Sequence, residues 1–170
     1  MSLTYEQQER AQKLYQAMLT TPHWVGGDGR SPLWWGHLVS SILVVTGEDE
    51  ITYVTLRSEG REDEAGAFDL EGVIFTDRVA VHFTGVAVDR NDYLREPAVQ
   101  AVPLSELTSV DVWSEADTQD QLTGMTWPGN VKATLLFRSG KSVAIPLRRP
   151  QNQDERTPLQ RVVVGLSRHL

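Results

Sequence analysis

The chain has 170 residues, 40% hydrophobic and 23% charged, with a formal net charge of −7 and no cysteine. That length suits one domain, and a domain this size buries roughly two thirds of the surface its unfolded chain exposes. Balanced composition without repeats excludes a disordered or fibrous chain, and the absence of cysteine excludes disulfides, thiolate nucleophiles and thiolate metal sites.

The first twenty residues carry Glu6 and Glu9 and no continuous apolar stretch, so they do not read as a secretory signal, and a cytoplasmic location is expected. Thr4 and Gln7 have capping-box spacing, and Ala11, Leu14, Tyr15 and Met18 fall at i, i+3, i+4 and i+7. The pattern predicts a helix over residues 4–19 with one packed face, stopped by Pro22. Residues 21–37 read as an irregular segment punctuated by Gly and Pro. Residues 1–37 are accordingly expected to be an N-terminal helix and aromatic loop packed on a domain formed by residues 38–170.

From Leu38 the pattern reads as short strands. Leu38–Thr46 and Glu50–Arg57 flank the polar turn Gly47-Glu48-Asp49, a predicted hairpin. The apolar run around Ile42–Val45 is far short of the ~20 residues that cross a bilayer, so no integral membrane contact is expected. An acidic loop, SEGREDEAG, leads to a second hairpin, Phe68–Thr76 and Val79–Val88 around Asp77-Arg78. A two-residue loop there pairs Ile74 with Val81 and Gly72 with Phe83. Apolar parity then shifts from Val79, Val81 and Phe83 to Val86 and Val88, which predicts a β-bulge at Thr84-Gly85. After a loop of mixed charge, Leu104 and Leu107 predict a helical turn, and Val110 with Val112 a strand. In the last hairpin the apolar residues are odd on both arms: Val131, Ala133, Leu135 and Phe137, then Val143, Ile145 and Leu147. Opposed positions must therefore sum to an even number. That predicts the three-residue loop Arg138-Ser139-Gly140 with Gly140 left-handed, pairing Leu135 with Val143 and Ala133 with Ile145. A closing helix is predicted from Thr157 as N-cap and Pro158 as first residue, with Leu159, Val162, Val163, Leu166 and Leu170 as its apolar stripe. Gly165 beside them is read as permitting close approach to a sheet.

Three segments carry a resemblance. Gly72-Val73-Ile74-Phe75-Thr76-Asp77-Arg78, followed by Val81 and Phe83, is similar to the third and fourth strands of pleckstrin-homology-like domains, the GRAM and bacterial branches included. Val102-Pro103-Leu104-Ser105-Glu106-Leu107 through Val110 is similar to the segment leading into that family's fifth strand. Leu135-Leu136-Phe137-Arg138-Ser139-Gly140 through Ile145-Pro146-Leu147 is similar to its sixth and seventh. The resemblance spans residues 38–170. It implies a mainly β (α+β) fold: a seven-stranded antiparallel barrel or sandwich capped by the C-terminal helix, here with an extra N-terminal helix. It also implies binding of lipids, peptides or proteins. Lipid-binding members place Lys and Arg in the loop between the first two strands; here that loop reads Thr46-Gly47-Glu48-Asp49-Glu50, and its carboxylates make phosphoinositide binding unlikely.

Catalysis has little support. No Gly-x-Ser-x-Gly elbow is present, the paired carboxylates sit in solvated loops, and Gly26-Gly27-Asp28-Gly29 does not join a strand to a helix. His23, Asp28 and His37 share a segment without metal-ligand spacing, and His82 reads as exposed; no metal or cofactor is expected. Two sets of side chains remain. Trp24, Trp34, Trp35 and Trp127 are candidate binding residues, since tryptophan is enriched at interface hot spots, and the competing reading makes them a structural cap. Lys132, Arg138, Lys141, Arg148, Arg149, Arg156, Arg161 and Arg168 form a basic end: residues 131–170 carry 8 Lys and Arg against 2 Asp and Glu, residues 1–130 carry 8 against 21. No aromatics interleave the basic helix, which disfavours nucleic acid. Contact between opposite patches of two copies is the simpler use, with Arg148 and Arg149 as candidate binding residues. The expected function is a non-enzymatic binding or assembly module working through protein contacts or self-association. The alternative is a small-ligand or lipid-binding barrel with a Trp-lined mouth.

Overall fold

The computed structural model describes residues 4–21, 32–88, 94–115, 130–150 and 153–170. The fold is α+β and mainly sheet: the described strands form two antiparallel sheets, of four and three strands, and among the described residues three α-helices accompany them. The chain divides into two compact units, Met1–Val102 and Pro103–Leu170.

The first unit opens with α1 (Tyr5–Leu19). Its predicted capping box is present: the Gln7 amide donates to Thr4 Oγ1 at 3.3 Å and the Thr4 amide to Gln7 Oε1 at 2.9 Å. Leu14 and Met18 are fully buried, and Ala11 and Tyr15 pack beside them. Pro22 lies outside the described residues; the described helix closes at Thr20, whose amide bonds to the Met18 carbonyl.

The second element corrects the sequence reading. Residues 38–46 are not a strand but the larger part of helix α2 (Leu33–Thr46). Trp34, Trp35, Leu38, Val39, Ile42 and Thr46 are its buried residues, a period near 3.6 rather than 2. Ser40 and Ser41 donate to the carbonyls of Gly36 and His37 four residues back, bonds that only a helix offers. Gly47, at φ +60°, ends it. The expected turn Gly47-Glu48-Asp49 is therefore a helix terminus.

The strands β1 (Tyr53–Gly60), β2 (Ala67–Phe75), β3 (Val79–Val88) and β4 (Leu94–Pro103) follow in sheet order β1-β2-β3-β4. The β2–β3 register holds as predicted, Ile74 opposite Val81 and Gly72 opposite Phe83. No bulge falls at Thr84-Gly85 in the pairing to β2, which runs unbroken from Ala80 to Val88. The parity shift has another cause. Both faces of β3 are buried there, Val86 on one and Ala87 on the other, so apolar residues of either parity satisfy the pattern. The expected loop of mixed charge, DRNDYLREP, overlaps β4, which takes in its last four residues, Leu94–Pro97. Among the described strands β4 is an edge; Leu94, Val99 and Ala101 pack partly buried against the core, Val102 is buried, and an edge accommodates Pro97. Among the described residues the strands again number seven, through two opposite errors, and the segment Gly72–Phe83 belongs to the second and third of them.

A core on one face of the sheet joins Leu14 and Met18 of α1, Trp34, Trp35, Leu38 and Ile42 of α2, and Leu56, Leu70, Ile74, Val81 and Phe83 of the strands. Arg10 is buried among the helices. Its guanidinium donates to the carbonyls of Glu6 and Gly47, tying α1 to the end of α2.

The second unit begins with the predicted turn, a 3-10 helix at Leu104–Glu106, and continues with β5 (Leu107–Glu115), β6 (Asn130–Phe137) and β7 (Ser142–Ile145) in the order β5-β6-β7. The final hairpin matches the parity argument: Leu135 opposes Val143, Ala133 opposes Ile145, and Gly140 has φ +81°. Helix α3 (Gln153–Leu166) starts five residues earlier than predicted, with Asp154 and Glu155 in its first turn. Pro158 sits inside rather than at the start, and its missing N–H removes only one bond near the helix N-terminus. Leu159 and Leu166 are buried, and α3 packs on β6. Leu170 is exposed beyond the helix, and a side chain at Gly165 would meet nothing within 4 Å; neither has the packing role expected of it.

Candidate interaction surface

Trp34 and Trp35 are only 4% and 6% exposed, their rings edge to face with centroids 6.3 Å apart. An amphipathic α2 places both indoles against α1 and the sheet, and there they are core. Trp24 and Trp127 lie outside the described residues.

Sequence reasoning misses the fifth tryptophan. Trp113 is 67% exposed on β5, and its neighbour Val112 is 55% exposed. Register explains how both faces of this strand become apolar. Val112 opposes Ala133 and so points to the side of Leu135 and Phe137, while Trp113 opposes Lys132 on the other side, in line with Asp111 opposite Thr134. Lys132 Nζ lies 6.0 Å from the Trp113 ring centroid. Such a cation–π contact at an exposed site contributes about 0.5–1 kcal/mol and holds the indole in place. Leu136 is exposed farther along the same face as Trp113. Among the described strands β5 is an edge of its sheet. The signal available in the sequence was alternation: Ser109, Asp111 and Trp113 share a parity, so the tryptophan sits on a polar, outward face.

A groove of ≈720 Å³ runs along the first unit between α1 and the end of α2, lined by Tyr5, Glu6, Arg10, Leu43, Val44 and Glu48, among others. Its volume is that of a small-molecule pocket. Its walls do not enclose, since Val44 is 80% exposed, and Arg10 points inward to backbone carbonyls.

The charged side chains form mostly structural links. Asp49, after α2, accepts from Arg78 Nε at 2.9 and 2.8 Å and from Thr76 Oγ1 at 3.3 Å, joining that loop to the β2–β3 turn. The Arg78 hydrogen bond holds the Asp49 carboxyl below its ordinary value. His82, expected at the surface, is half-buried with Nε2 2.9 Å from Glu71 Oε1, while Arg57 donates to the other Glu71 oxygen at 2.7 Å. The His82 bond, then Arg57, lower the Glu71 pKa against the opposing effect of burial. Among the described residues no three His, Asp or Glu side chains gather to hold a metal ion; His37 lies exposed on α2, and His23 and Asp28 are outside the described residues.

The basic residues of the second unit differ in exposure. Lys132, Arg138, Arg149, Arg161 and Arg168 are exposed, whereas Lys141, Arg148 and Arg156 are half-buried. Arg148 pairs with Glu155 at 3.1 Å, and burial pushes the Lys141 ammonium below its usual pKa. Among the described residues no helix is long and apolar enough to cross a membrane. No protein-family model, curated protein or solved structure matches the chain.

Proposed function

We propose that this is a non-enzymatic binding or assembly module of pleckstrin-homology-like fold, acting in the cytoplasm through protein contacts. The observation that carries the reading is the exposed Val112-Trp113 pair on edge strand β5: large apolar side chains left outside a core mark a protein-contact surface. The fold assignment is supported by strand order, four antiparallel strands and then three with a helix after the seventh, and by the Pro103–Leu107 turn into β5. The connection between β1 and β2 is residues 61–66, not 46–50, and it too is acidic. Glu62, Asp63 and Glu64 dominate it, and Arg61 is engaged by Asp63 and Asp69 at 2.8 and 3.0 Å. A polyphosphate headgroup would meet repulsion there. The alternative, a ligand barrel with a Trp-lined mouth, draws no support from Trp34 and Trp35, which are buried.

Photo-cross-linking from a photoreactive residue at position 113, in the full chain in its native cell, tests this. Cross-links to protein that disappear on Val112→Asp substitution are expected. Cross-links confined to lipid, or none above those from an exposed control position such as Arg161, would overturn it.

A further inference from the structure

We infer that β5 is a homotypic interface: it pairs antiparallel with β5 of a second copy, about a two-fold axis through Val112. This rests on the protein-contact reading above and names the partner.

An edge strand offers a row of backbone donors and acceptors, and proteins that must not self-associate blunt such edges with Lys, Pro or bulges. Between Ser109 and Ser114 the only charge on β5 is Asp111, and both faces carry an exposed apolar side chain, Val112 and Trp113. The bulge in β5–β6 pairing falls at Leu107/Ser109, leaving the strand regular from Ser109 onward.

Charge and register select both the partner and the centre. A two-fold through Asp111 sets two carboxylates opposite each other, which is unfavourable. A two-fold through Val112 sets Val112 against Val112 and Val110 against Ser114. It also sets Asp111 against Trp113, next to the Lys132 that already lies over that indole. Asp111 has no ion-pair partner among the described residues, so the second copy's Lys132 gives it one across the tryptophan. The strand is thus complementary to itself in one register. A two-fold contact repeats each of these pairs, which is how a short patch reaches a useful interface.

Position 112 opposes its own copy, and this makes a sharp test by sedimentation of the full chain. Wild type is expected to dimerise with concentration. Val112→Lys and Val112→Glu each bring like charges together and should weaken association about 100-fold. An equimolar mixture should restore a one-to-one heterodimer, which also shows that both variants are folded. The chain has no cysteine, so Val112→Cys is the only thiol when introduced. Directly opposed strand residues have Cα atoms about 4.5–5.5 Å apart, within disulfide reach. Mild oxidation should link Val112→Cys into dimers at least about tenfold faster than an exposed Ala144→Cys control on β7. A wild type that stays monomeric at its highest soluble concentration overturns the inference, as does a mixture with no heterodimer or equal oxidation of the two cysteines. Cross-links from position 113 to a different protein in those cases would leave the protein-contact reading standing.

Discussion

Gly72 and Gly140 are both required, for different physical reasons. Gly72 is flanked in the sheet by Leu56 on β1 and Phe83 on β3, and the buried Phe83 ring lies across it. A Cβ at position 72 would come within 2.7 Å of Leu56 Cδ2 and closer still to the ring. Gly72→Ala therefore overpacks the core and should cost about 1–3 kcal/mol in urea denaturation. Gly140 has empty space around it but sits at φ +81°. Gly140→Ala should cost about 1 kcal/mol from backbone strain alone. If the Gly140 variant proved the more damaging, packing around Gly72 would be looser than its neighbours indicate. The Gly72–Phe83 pairing was legible, because a two-residue turn fixes register by counting. The need for glycine there was not, since it depends on where the phenyl ring lies. Trp113 was missed for a related reason: one large apolar residue on a polar face does not disturb alternation enough to stand out.

Elements were legible where the sequence offered counting rules and obscure where apolar residues covered more than one face. The capping box of α1 and the odd-odd parity of β6 and β7 each left one solution. Residues 38–46 left two. Val44 and Val45 are exposed, so the helix carries β-branched residues on its outer side and imitates a buried strand. Its helical sign was the pair Ser40-Ser41, which breaks alternation but fits a period of 3.6. β4 was hidden by Glu96 and Pro97, tolerable because it is an edge. The two descriptions of residues 38–46 predict different energetics. A strand places Ile42 and Val44 on one face; helix α2 buries Ile42 fully and leaves Val44 in solvent. Ile42→Ala should thus cost about 2–5 kcal/mol, and Val44→Ala less than about 0.5 kcal/mol. Comparable losses from the two substitutions, measured as urea midpoints, would falsify the helix.

On the scale of the whole molecule, the charge asymmetry sorts by unit differently from how it sorts along the sequence. Residues 1–102 carry 8 Lys and Arg against 16 Asp and Glu, and residues 103–170 carry 8 against 7. The basic end is therefore nearly balanced within its own unit, and the excess acid belongs to the first. That weakens charge alone as a reason for two copies to meet and leaves the apolar edge of β5 as the stronger one. The same distribution makes the first unit the acid-sensitive part. Asp49, Glu50, Asp63 and Glu71 all have lowered pKa values, caused chiefly by hydrogen bonds from Arg78, Lys13, Arg61 and His82 respectively. A carboxyl whose pKa is lower folded than unfolded binds fewer protons in the folded state. Its contribution is fully present above the unfolded value, near 4, and disappears as pH falls through the folded one. Exposed pairs such as Lys13–Glu50 and Arg61–Asp63 are screened by solvent and contribute little. Asp49 is the one to alter, because its side chain is mostly buried and it also accepts from Thr76. Urea midpoints should fall from pH 5 to pH 3 in the wild type. Asp49→Asn should be less stable than wild type at pH 7, and the gap should close in acid, where the wild-type carboxyl has itself lost its charge. A gap that stays constant down to pH 3 would mean that Asp49 contributes through shape and neutral hydrogen bonds, not through its pairing with Arg78.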